Sequence, residues 1–182
     1  MDQIAKQERS RKRIEIILET AEKILLEDGI DQITIANISN RSGLKRTSTY
    51  KFFQTPEVIK SMLISNYLNM CALDFEEKTS NINTSEPSVV VMRSVEILFN
   101  FYSEHEPAQK LLLSSSAILP VEKEPFHYLS NKIQSFVEMN ISLPDIFNKD
   151  GVFRVITQII LSIFALNTKE SGSLNEVGKI EA

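Results

Sequence analysis

The chain has 182 residues and a formal net charge of −4, with 42% hydrophobic and 24% charged side chains. This composition is that of a globular protein and excludes a disordered or collagen-like chain. Cys71 is the single cysteine, which excludes a disulfide framework and a zinc site built from cysteines. The longest apolar stretch, residues 152–166, contains Arg154 and is too short for a membrane span. Because the N-terminus also lacks the apolar core of a signal peptide, we expect a cytoplasmic protein.

Charge is unevenly distributed along the chain. Residues 1–60 contain 11 Lys or Arg and 9 Asp or Glu, a net charge of +2, whereas the other 122 residues contain 9 and 15, a net charge of −6. The basic excess is concentrated in residues 38–60, which hold five basic side chains and one acid. A basic segment in an acidic protein is compatible with attraction to a polyanion and equally with a solvated helix surface.

The first helix is predicted from an apolar stripe at helical spacing. Its members are Ile14, Ile17, Leu18, Ala21, Ile24 and Leu25. Gly29 is the expected left-handed stop. Thr34 is the expected N-cap of a short second helix. The residues of that helix that should point inward are Ile35, Ile38 and Ser42.

Further helices are predicted along the rest of the chain, with no period-2 alternation that would indicate strands. Their approximate ranges are 46–53, 56–78, 87–106, 107–115, 125–139 and 151–167. Pro120 and Pro125 bracket the start of the helix at 125–139. The inward residues of the helix after Pro56 should be Ile59, Met62, Leu63, Tyr67, Met70 and Leu73. Those of the helix after Pro87 should be Val91, Val95, Leu98, Phe99 and Tyr102. Residues 169–182 are polar and are expected to form a frayed tail.

The segment around Ser42-Gly43-Leu44-Lys45 is a helix-turn-helix candidate. Glycine can adopt the positive φ of a tight turn, and Leu44 would anchor the turn to the core. The helix that follows should present Arg46, Thr47, Ser48 and Lys51 outward, while Tyr50 and Phe53 pack against neighbouring helices. Such a helix fits the major groove of DNA, where arginine can bind guanine. By spacing alone, a small helical hairpin in any α protein remains an alternative.

Residues 11 to about 65 resemble the DNA-binding domain of TetR/AcrR-family transcriptional regulators. The matching positions are Thr34, Ile38-Ser39, Gly43-Leu44, Tyr50 and Phe53. The resemblance implies an all-α protein with a three-helix helix-turn-helix domain over residues 1–55 and an effector-binding and dimerisation domain over residues 56–168. It also implies a homodimer that binds palindromic double-stranded operator DNA and is released by a small-molecule effector. The DNA-binding residues it indicates are Thr34, Lys45, Arg46, Thr47, Ser48, Tyr50 and Lys51.

Four positions depart from the family pattern. Ser39 replaces an alanine, and Thr49 replaces an apolar residue and would place a hydroxyl in the small core of the domain. Lys45 stands where serine or threonine commonly caps the recognition helix, so Thr47 is an alternative cap. Pro56 replaces a lysine that in the family often contacts phosphate, which puts one contact with the DNA backbone in doubt.

The C-terminal two-thirds of the chain is rich in aromatic residues, with eight of the ten Phe and three of the four Tyr after residue 60. A cavity for an amphipathic or apolar effector is predicted. Its lining would be Tyr67, Met70, Phe99, Tyr102 and Phe126. The alternative is that these residues are ordinary core. The polar candidates for orienting a ligand are Asn66, Arg93, Glu96, Asn100, His127 and Gln134.

The last strong helix is apolar over more than one face, which indicates that it is buried on more than one side. We expect one face to meet a symmetry mate, together with the helix at about 125–139, in a four-helix dimer interface. The predicted interface residues are Phe153, Ile156, Ile160, Ile163 and Phe164. A central core helix of a monomer is the alternative.

No motif in the sequence predicts catalysis, a cofactor or a metal site. There is no G-x-S-x-G sequence and no glycine-rich phosphate loop. His105 lies between two glutamates in sequence, but adjacent residues of a helix point in different directions. We therefore expect a regulator rather than an enzyme. The rival interpretation is a helical homodimer that acts through protein partners and binds DNA weakly or without specificity.

Overall fold

The computed structural model describes residues 2–115, 123–145 and 147–182, and within these ranges every regular element is a helix. The elements are α1 (Asp2–Asp28), a 3-10 turn (Ile30–Gln32), α2 (Ile35–Ser42), α3 (Arg46–Tyr50), α4 (Pro56–Thr79), α5 (Pro87–Glu104), α6 (Glu106–Ser115), α7 (Lys123–Asn140), α8 (Lys149–Ser171) and α9 (Glu176–Glu181). The predicted all-α class is confirmed. Pro120, which was expected to precede the helix at about 125–139, lies outside the described residues.

The chain divides into two compact units, the first ending at Leu63 and the second beginning at Ile64. The boundary falls inside α4, so the first eight residues of this helix, 56–63, belong to the first unit and the remainder to the second. The predicted domain boundary at residues 55 and 56 corresponds instead to the start of α4.

The first unit is built on the apolar stripe of α1. Ile17, Ala21 and Ile24 are fully buried, as the stripe predicts. The helix ends at Asp28, and Gly29 follows with a φ of 90°, a conformation that favours glycine. The Gly29 amide donates to the Ile24 carbonyl at 3.1 Å, which satisfies one of the free acceptors at the end of the helix.

Helix α2 begins at the predicted cap. The Thr34 hydroxyl accepts a hydrogen bond from the Asn37 amide at 3.1 Å. Ile35 and Ile38 are buried as expected, but Ser39 is the buried serine and Ser42 is only half-buried. The prediction for Ser42 was wrong because the turn at Gly43 begins directly after it, and its hydroxyl accepts from the Leu44 amide at 3.2 Å.

In the second unit, the buried face of α4 differs from the predicted stripe. Tyr67 is buried, but Met70 and Leu73 are 46% and 56% exposed, and Met62, in the first unit, is 39% exposed. The buried apolar residues of this part of α4 are Ile64, Tyr67, Leu68, Cys71, Ala72 and Phe75. Apolar residues occur on several faces of α4, so the spacing allowed more than one choice of inward face. For the same reason Val91 on α5 is exposed.

Helices α7 and α8 run antiparallel. Near the connection between them, Gln134 donates to Asp150 at 3.1 Å and Lys149 pairs with Glu138 at 3.0 Å. Helix α8 has the length and mean hydropathy of a membrane span by composition alone. One side of it is buried in the second unit and carries Phe153, Thr157, Ile160, Leu161, Phe164 and Thr168. The apolar character of that side is explained by its position in the protein core.

The C-terminal segment is folded rather than frayed. Helix α8 continues to Ser171, Gly172 follows with a φ of 80°, and Asn175 caps α9 by accepting from the Val177 amide at 3.0 Å. Asn167, at 4% exposure, accepts from the Asn175 amide at 3.0 Å. Sequence reasoning did not predict these polar contacts. Each of them joins a tail residue to a buried side chain or to the end of a helix.

The tail is also attached to α6. The buried Gln109 side chain accepts a hydrogen bond from the Leu174 amide at 3.0 Å, across 65 positions of sequence. Leu174 is itself 8% exposed and Gly178 is buried. Residues 169–182 are therefore part of the second unit.

Candidate nucleic-acid interface and effector cavity

The turn between α2 and α3 has the backbone geometry of a helix-turn-helix. Gly43 adopts a left-handed conformation with φ 70° and ψ 5°, and no atom lies within 4 Å of the position that a Cβ would occupy. The glycine is therefore required by its backbone conformation and not by space. Leu44 is half-buried, so it anchors the turn less deeply than predicted.

Helix α3 is short and begins without a side-chain cap. Lys45 is its N-cap residue, and the Lys45 carbonyl accepts from the amides of Ser48 at 2.8 Å and Thr49 at 3.2 Å. Thr47 lies inside the helix, so the alternative assignment of Thr47 as the cap was wrong. The Phe53 amide donates to the Thr49 carbonyl at 2.9 Å, which continues the helical bonding for one turn past Tyr50.

Two polar departures from the family pattern meet inside this unit. Thr49 is fully buried and Ser39 is 6% exposed. Their hydroxyl oxygens lie 3.3 Å apart, within hydrogen-bonding distance. Each hydroxyl therefore supplies the partner that the other needs in an apolar environment.

The outward surface of α3 carries the side chains that were predicted to bind DNA. Lys45, Arg46, Thr47, Tyr50 and Lys51 are exposed, and Ser48 is half-buried. Tyr50 is 53% exposed, so the prediction that it packs against neighbouring helices was wrong, whereas Phe53 is buried. Thr49 occupies the inward position beside Tyr50, which leaves the tyrosine ring facing solvent.

The three cations of this surface are not neutralised by the protein. Lys45, Arg46 and Lys51 form no ion pair with any residue that the structure describes. Arg41 differs, because its guanidinium binds the carboxylates of Glu27 and Asp28 at the end of α1. Arg41 thus links α2 to α1, whereas Lys45, Arg46 and Lys51 form no ion pair with a described residue.

A cavity of about 580 Å³ lies within the second unit, between α4, α5, α6, α7 and α8. Tyr67, Tyr102 and Phe126 line it, as predicted. Met70 and Phe99 are not among the lining residues. Met70 is exposed, and Phe99 packs into the core against the Phe164 ring, with centroids 6.2 Å apart.

Besides the tyrosines Tyr67 and Tyr102, the polar residues that line the cavity come from α7 and α8. Of the polar candidates, His127 lines the cavity, and sequence reasoning did not name Lys123, Gln158, Ser162 and Lys169, which also line it. The other five candidates do not line the cavity. Asn66 and Asn100 are exposed, Arg93 pairs with Glu96 at 2.6 Å, and Gln134 bonds with Asp150. The four-residue spacing of Lys123 and His127, and of Gln158 and Ser162, indicates that each pair shares one face of its helix. The spacing does not show which other helices those faces pack against.

The residues predicted for the dimer interface divide between two faces of α8. Phe153, Ile160 and Phe164 are buried in the core of their own unit, with Phe164 at 0% exposure, which corrects their assignment to an intermolecular surface. Ile156 is 40% exposed and Ile163 is half-buried. The exposed apolar residues of this helix are Val152, Val155, Ile156, Ile159 and Leu166. Sequence spacing could not separate the faces because both are apolar.

No family model matches the sequence, and no curated protein matches it. Solved structures do match. A TetR-family transcriptional regulator from Streptomyces coelicolor aligns with a TM-score of 0.66 and 16% identity, covering 94% of this chain and 91% of its own.

The chain has the TetR-family fold.

Two further structures with this fold agree. SmeT, the repressor of the Stenotrophomonas maltophilia multidrug efflux pump SmeDEF, aligns with a TM-score of 0.62 and 15% identity, over 89% of this chain and 81% of SmeT. A transcriptional regulator from Aquifex aeolicus VF5 aligns with a TM-score of 0.55 and 16% identity, over 92% and 94% of the two chains.

Proposed function

We propose that this chain is a ligand-responsive transcriptional repressor that binds a palindromic DNA operator as a homodimer and is released by a small-molecule effector. The observation that carries the proposal is the exposed surface of α3, directly after a glycine-dependent turn, where Lys45, Arg46 and Lys51 have no acidic partner among the described residues. The TetR-family fold supports it, since the solved structures that share this fold include named transcriptional regulators and a repressor.

Each exposed group of α3 has a role in this proposal. Arg46 and Thr47 read base edges in the major groove, where arginine can donate two hydrogen bonds to guanine. Lys45 and Lys51 neutralise phosphates, and the exposed Tyr50 contacts the backbone through its hydroxyl. Thr34, half-buried at the start of α2, adds a phosphate contact, while Ser48 contributes its hydroxyl at the edge of the surface.

The homodimer forms through the exposed side of α8. Val155 and Ile159 are 59% and 52% exposed, and with Ile156 they form an apolar strip along this helix. Large exposed apolar patches on soluble proteins commonly mark interaction sites. A two-fold axis at this strip pairs α7 and α8 with their symmetry mates, and the two α3 helices then address successive major grooves.

Effector control acts through α4. Ile64, Tyr67 and Leu68 of this helix line the cavity, and its first turns belong to the unit that contains α3. An effector that binds better when α4 is displaced shifts the dimer toward a state in which the two α3 helices no longer match the operator. The proposal places this dimer in the cytoplasm, in contact with DNA.

The test is fluorescence anisotropy with purified protein and a duplex selected from random sequence, against a scrambled duplex, across a range of salt concentrations. We expect selective binding in which log K falls steeply with log salt. Arg46→Ala should weaken binding to the selected duplex by about tenfold or more and relax specificity at one base position. Arg41→Ala is the matched control, because Arg41 is already engaged by Glu27 and Asp28, and it should change the affinity far less.

Absence of binding to either duplex at low salt would contradict the proposal. It would favour the rival function, a helical homodimer that acts through protein partners. Equal effects of the Arg46 and Arg41 substitutions would contradict the assignment of α3 as the reading element.

A further inference from the structure

The cavity of the second unit has walls of different chemical character. The walls from α4 and α6 are mostly apolar, with Ile64, Leu68, Leu111 and Leu112 among the lining residues, and Tyr67 is the aromatic residue of α4 there. The wall from α7 and α8 carries the lysines and the amide and hydroxyl side chains. A ligand that fills this space must therefore have an apolar body and a polar part directed toward α7 and α8.

Among the described residues, the charged side chains of the polar wall are two lysines. Lys123 and His127 are four residues apart on α7, and Lys169 lies in the last turn of α8. No aspartate or glutamate occurs among the described lining residues. Neither lysine makes an ion pair within the described part of the chain. Two solvent-exposed lysines that form no ion pair with a described residue thus lie at the edge of the cavity.

Hydrogen-bonding groups accompany the lysines. The Gln158 amide donates to the Ser162 hydroxyl at 3.1 Å, and both side chains line the cavity along one face of α8. Because the Gln158 amide is oriented toward Ser162, the serine hydroxyl proton is left to donate to a ligand. This arrangement supplies donors and positive charge at the same wall.

The charge of the cavity opposes that of the sequence around it. Residues 61–182 have a net charge of −6, so a cation-lined cavity does not follow from a generally basic domain. Lysines paired with acids are common in this unit, as between Lys132 and Glu76 or Lys149 and Glu138. Lys123 and Lys169 are the exceptions that face the cavity.

We infer that the cavity binds an amphipathic anion, a ligand with an aliphatic or aromatic body between α4 and α6 and one anionic head group held by Lys123 and Lys169. This inference rests on the proposed effector site and specifies the chemical class of the effector. Charge-assisted hydrogen bonds to the two ammonium groups select the anion over a neutral or cationic analogue of equal size.

Isothermal titration calorimetry of the full chain with three twelve-carbon probes tests the inference, with the two ionic probes below their micelle concentrations and the alcohol below its solubility limit. The probes are dodecanoate, dodecanol and dodecyltrimethylammonium. We expect dodecanoate to bind about tenfold or more tightly than dodecanol, and the cation to bind most weakly. Equal affinities for the three probes, or no binding of dodecanoate, would overturn the inference.

The double variant Lys123→Ala/Lys169→Ala locates the effect. It should weaken dodecanoate binding by about tenfold or more and leave dodecanol binding unchanged. The control, Lys78→Ala/Lys149→Ala, removes two charges from the same unit but none from the cavity. Loss of dodecanoate affinity in both variants to the same extent would overturn the inference, since the effect would then be one of overall charge.

The two proposals fail separately. Selective, lysine-dependent binding of dodecanoate by a protein that binds no DNA would support the ligand class and contradict the repressor function. Selective DNA binding by a protein that prefers dodecanol or the cationic probe would support the repressor function and contradict the ligand class.

Discussion

The hydroxyl oxygens of Ser39 and Thr49 lie 3.3 Å apart in the buried core of the helix-turn-helix unit. One residue comes from α2 and the other from α3, so the contact joins the two helices of the motif. Considered singly, each residue is a polar departure from an apolar pattern. Considered together, they form one satisfied pair, and a satisfied buried pair costs far less than two unsatisfied hydroxyls.

This pair predicts non-additive stability. Ser39→Ala leaves the Thr49 hydroxyl without its partner, and Thr49→Val does the same to Ser39, so each should lower the free energy of unfolding by about 1–2 kcal/mol. The double variant removes both hydroxyls and should be close to the original chain. Urea unfolding of all four proteins measures the coupling free energy. Strictly additive losses would show that the two hydroxyls do not depend on each other.

The docking of α9 on α8 predicts the effect of a small substitution. A Cβ at position 178 would lie 2.7 Å from the Cγ of Asn167, and Asn167 also accepts the hydrogen bond from the Asn175 amide. Gly178→Ala should therefore displace the asparagine and cost about 1–3 kcal/mol, which exceeds the gain of about 1 kcal/mol in helix propensity.

Hydrogen exchange measures this change at the amides of α9, where protection should fall. Val177→Ala is the control, because Val177 lies in the same helix but is 55% exposed. If Gly178→Ala instead stabilised the chain, helix propensity would outweigh the contact with Asn167.

The two faces of α8 predict different consequences for two substitutions. Phe164 is fully buried, with the rings of Phe99 and Tyr102 at 6.2 and 6.3 Å, so Phe164→Ala should lower the free energy of unfolding by about 3–5 kcal/mol. Ile159 is 52% exposed, so Ile159→Glu should leave the fold intact and convert the proposed dimer to a monomer.

Circular dichroism and sedimentation velocity separate these two effects. Val91→Glu is a matched control, since Val91 is a 58% exposed aliphatic residue on α5. It should alter neither helicity nor sedimentation. A dimer that persists in Ile159→Glu would place the interface away from the exposed side of α8.

The buried thiol of Cys71 and the buried phenol of Tyr102 predict that the free energy of unfolding falls at alkaline pH. Burial raises the pKa of the Cys71 thiol from an ordinary value of 9.0, and the Asp74 carboxylate raises it further. Burial likewise raises the pKa of Tyr102 well above 10.0. Above pH 9 the unfolded chain loses protons that the folded chain retains. The free energy of unfolding should therefore fall as pH rises, by up to about 1.4 kcal/mol per pH unit for each group.

Urea unfolding at a series of pH values between 7 and 11 measures how steeply the free energy of unfolding falls with pH. Cys71→Ala should show a shallower decline between pH 9 and 10, where the thiol of the unfolded chain ionises first. Below pH 8 the thiol is protonated in both the folded and the unfolded chain. The difference in the free energy of unfolding between the original chain and Cys71→Ala should therefore be independent of pH in that range. Identical slopes in both proteins would mean that Cys71 ionises in the folded state.

The local signals in the sequence were sufficient to predict the cap and the turn of the helix-turn-helix unit, although not the burial of Ser42 and Tyr50. A threonine before an apolar periodic segment predicted the cap at Thr34, and the glycine between two short helices predicted the left-handed turn at Gly43. These features depend on φ, ψ and hydrogen bonds within a few residues, which the local sequence determines. The exposure of Arg46 and Lys51 followed from the same short periodicity.

Tertiary structure decided what local patterns leave open. Helices α4 and α8 carry apolar residues on several faces, and only packing selects which face is buried, so Met70 is exposed while Phe164 is in the core. Contacts across long separations, such as Gln109 with Leu174, fold a tail that is polar in composition. The sequence by itself determined the helices before the C-terminal tail, the turn and the exposed basic residues of α3, because these are set by neighbours in the chain, but it did not predict α9. The cation-lined cavity and the partner of each buried polar group depended on the tertiary structure, because residues distant in sequence must meet to form them.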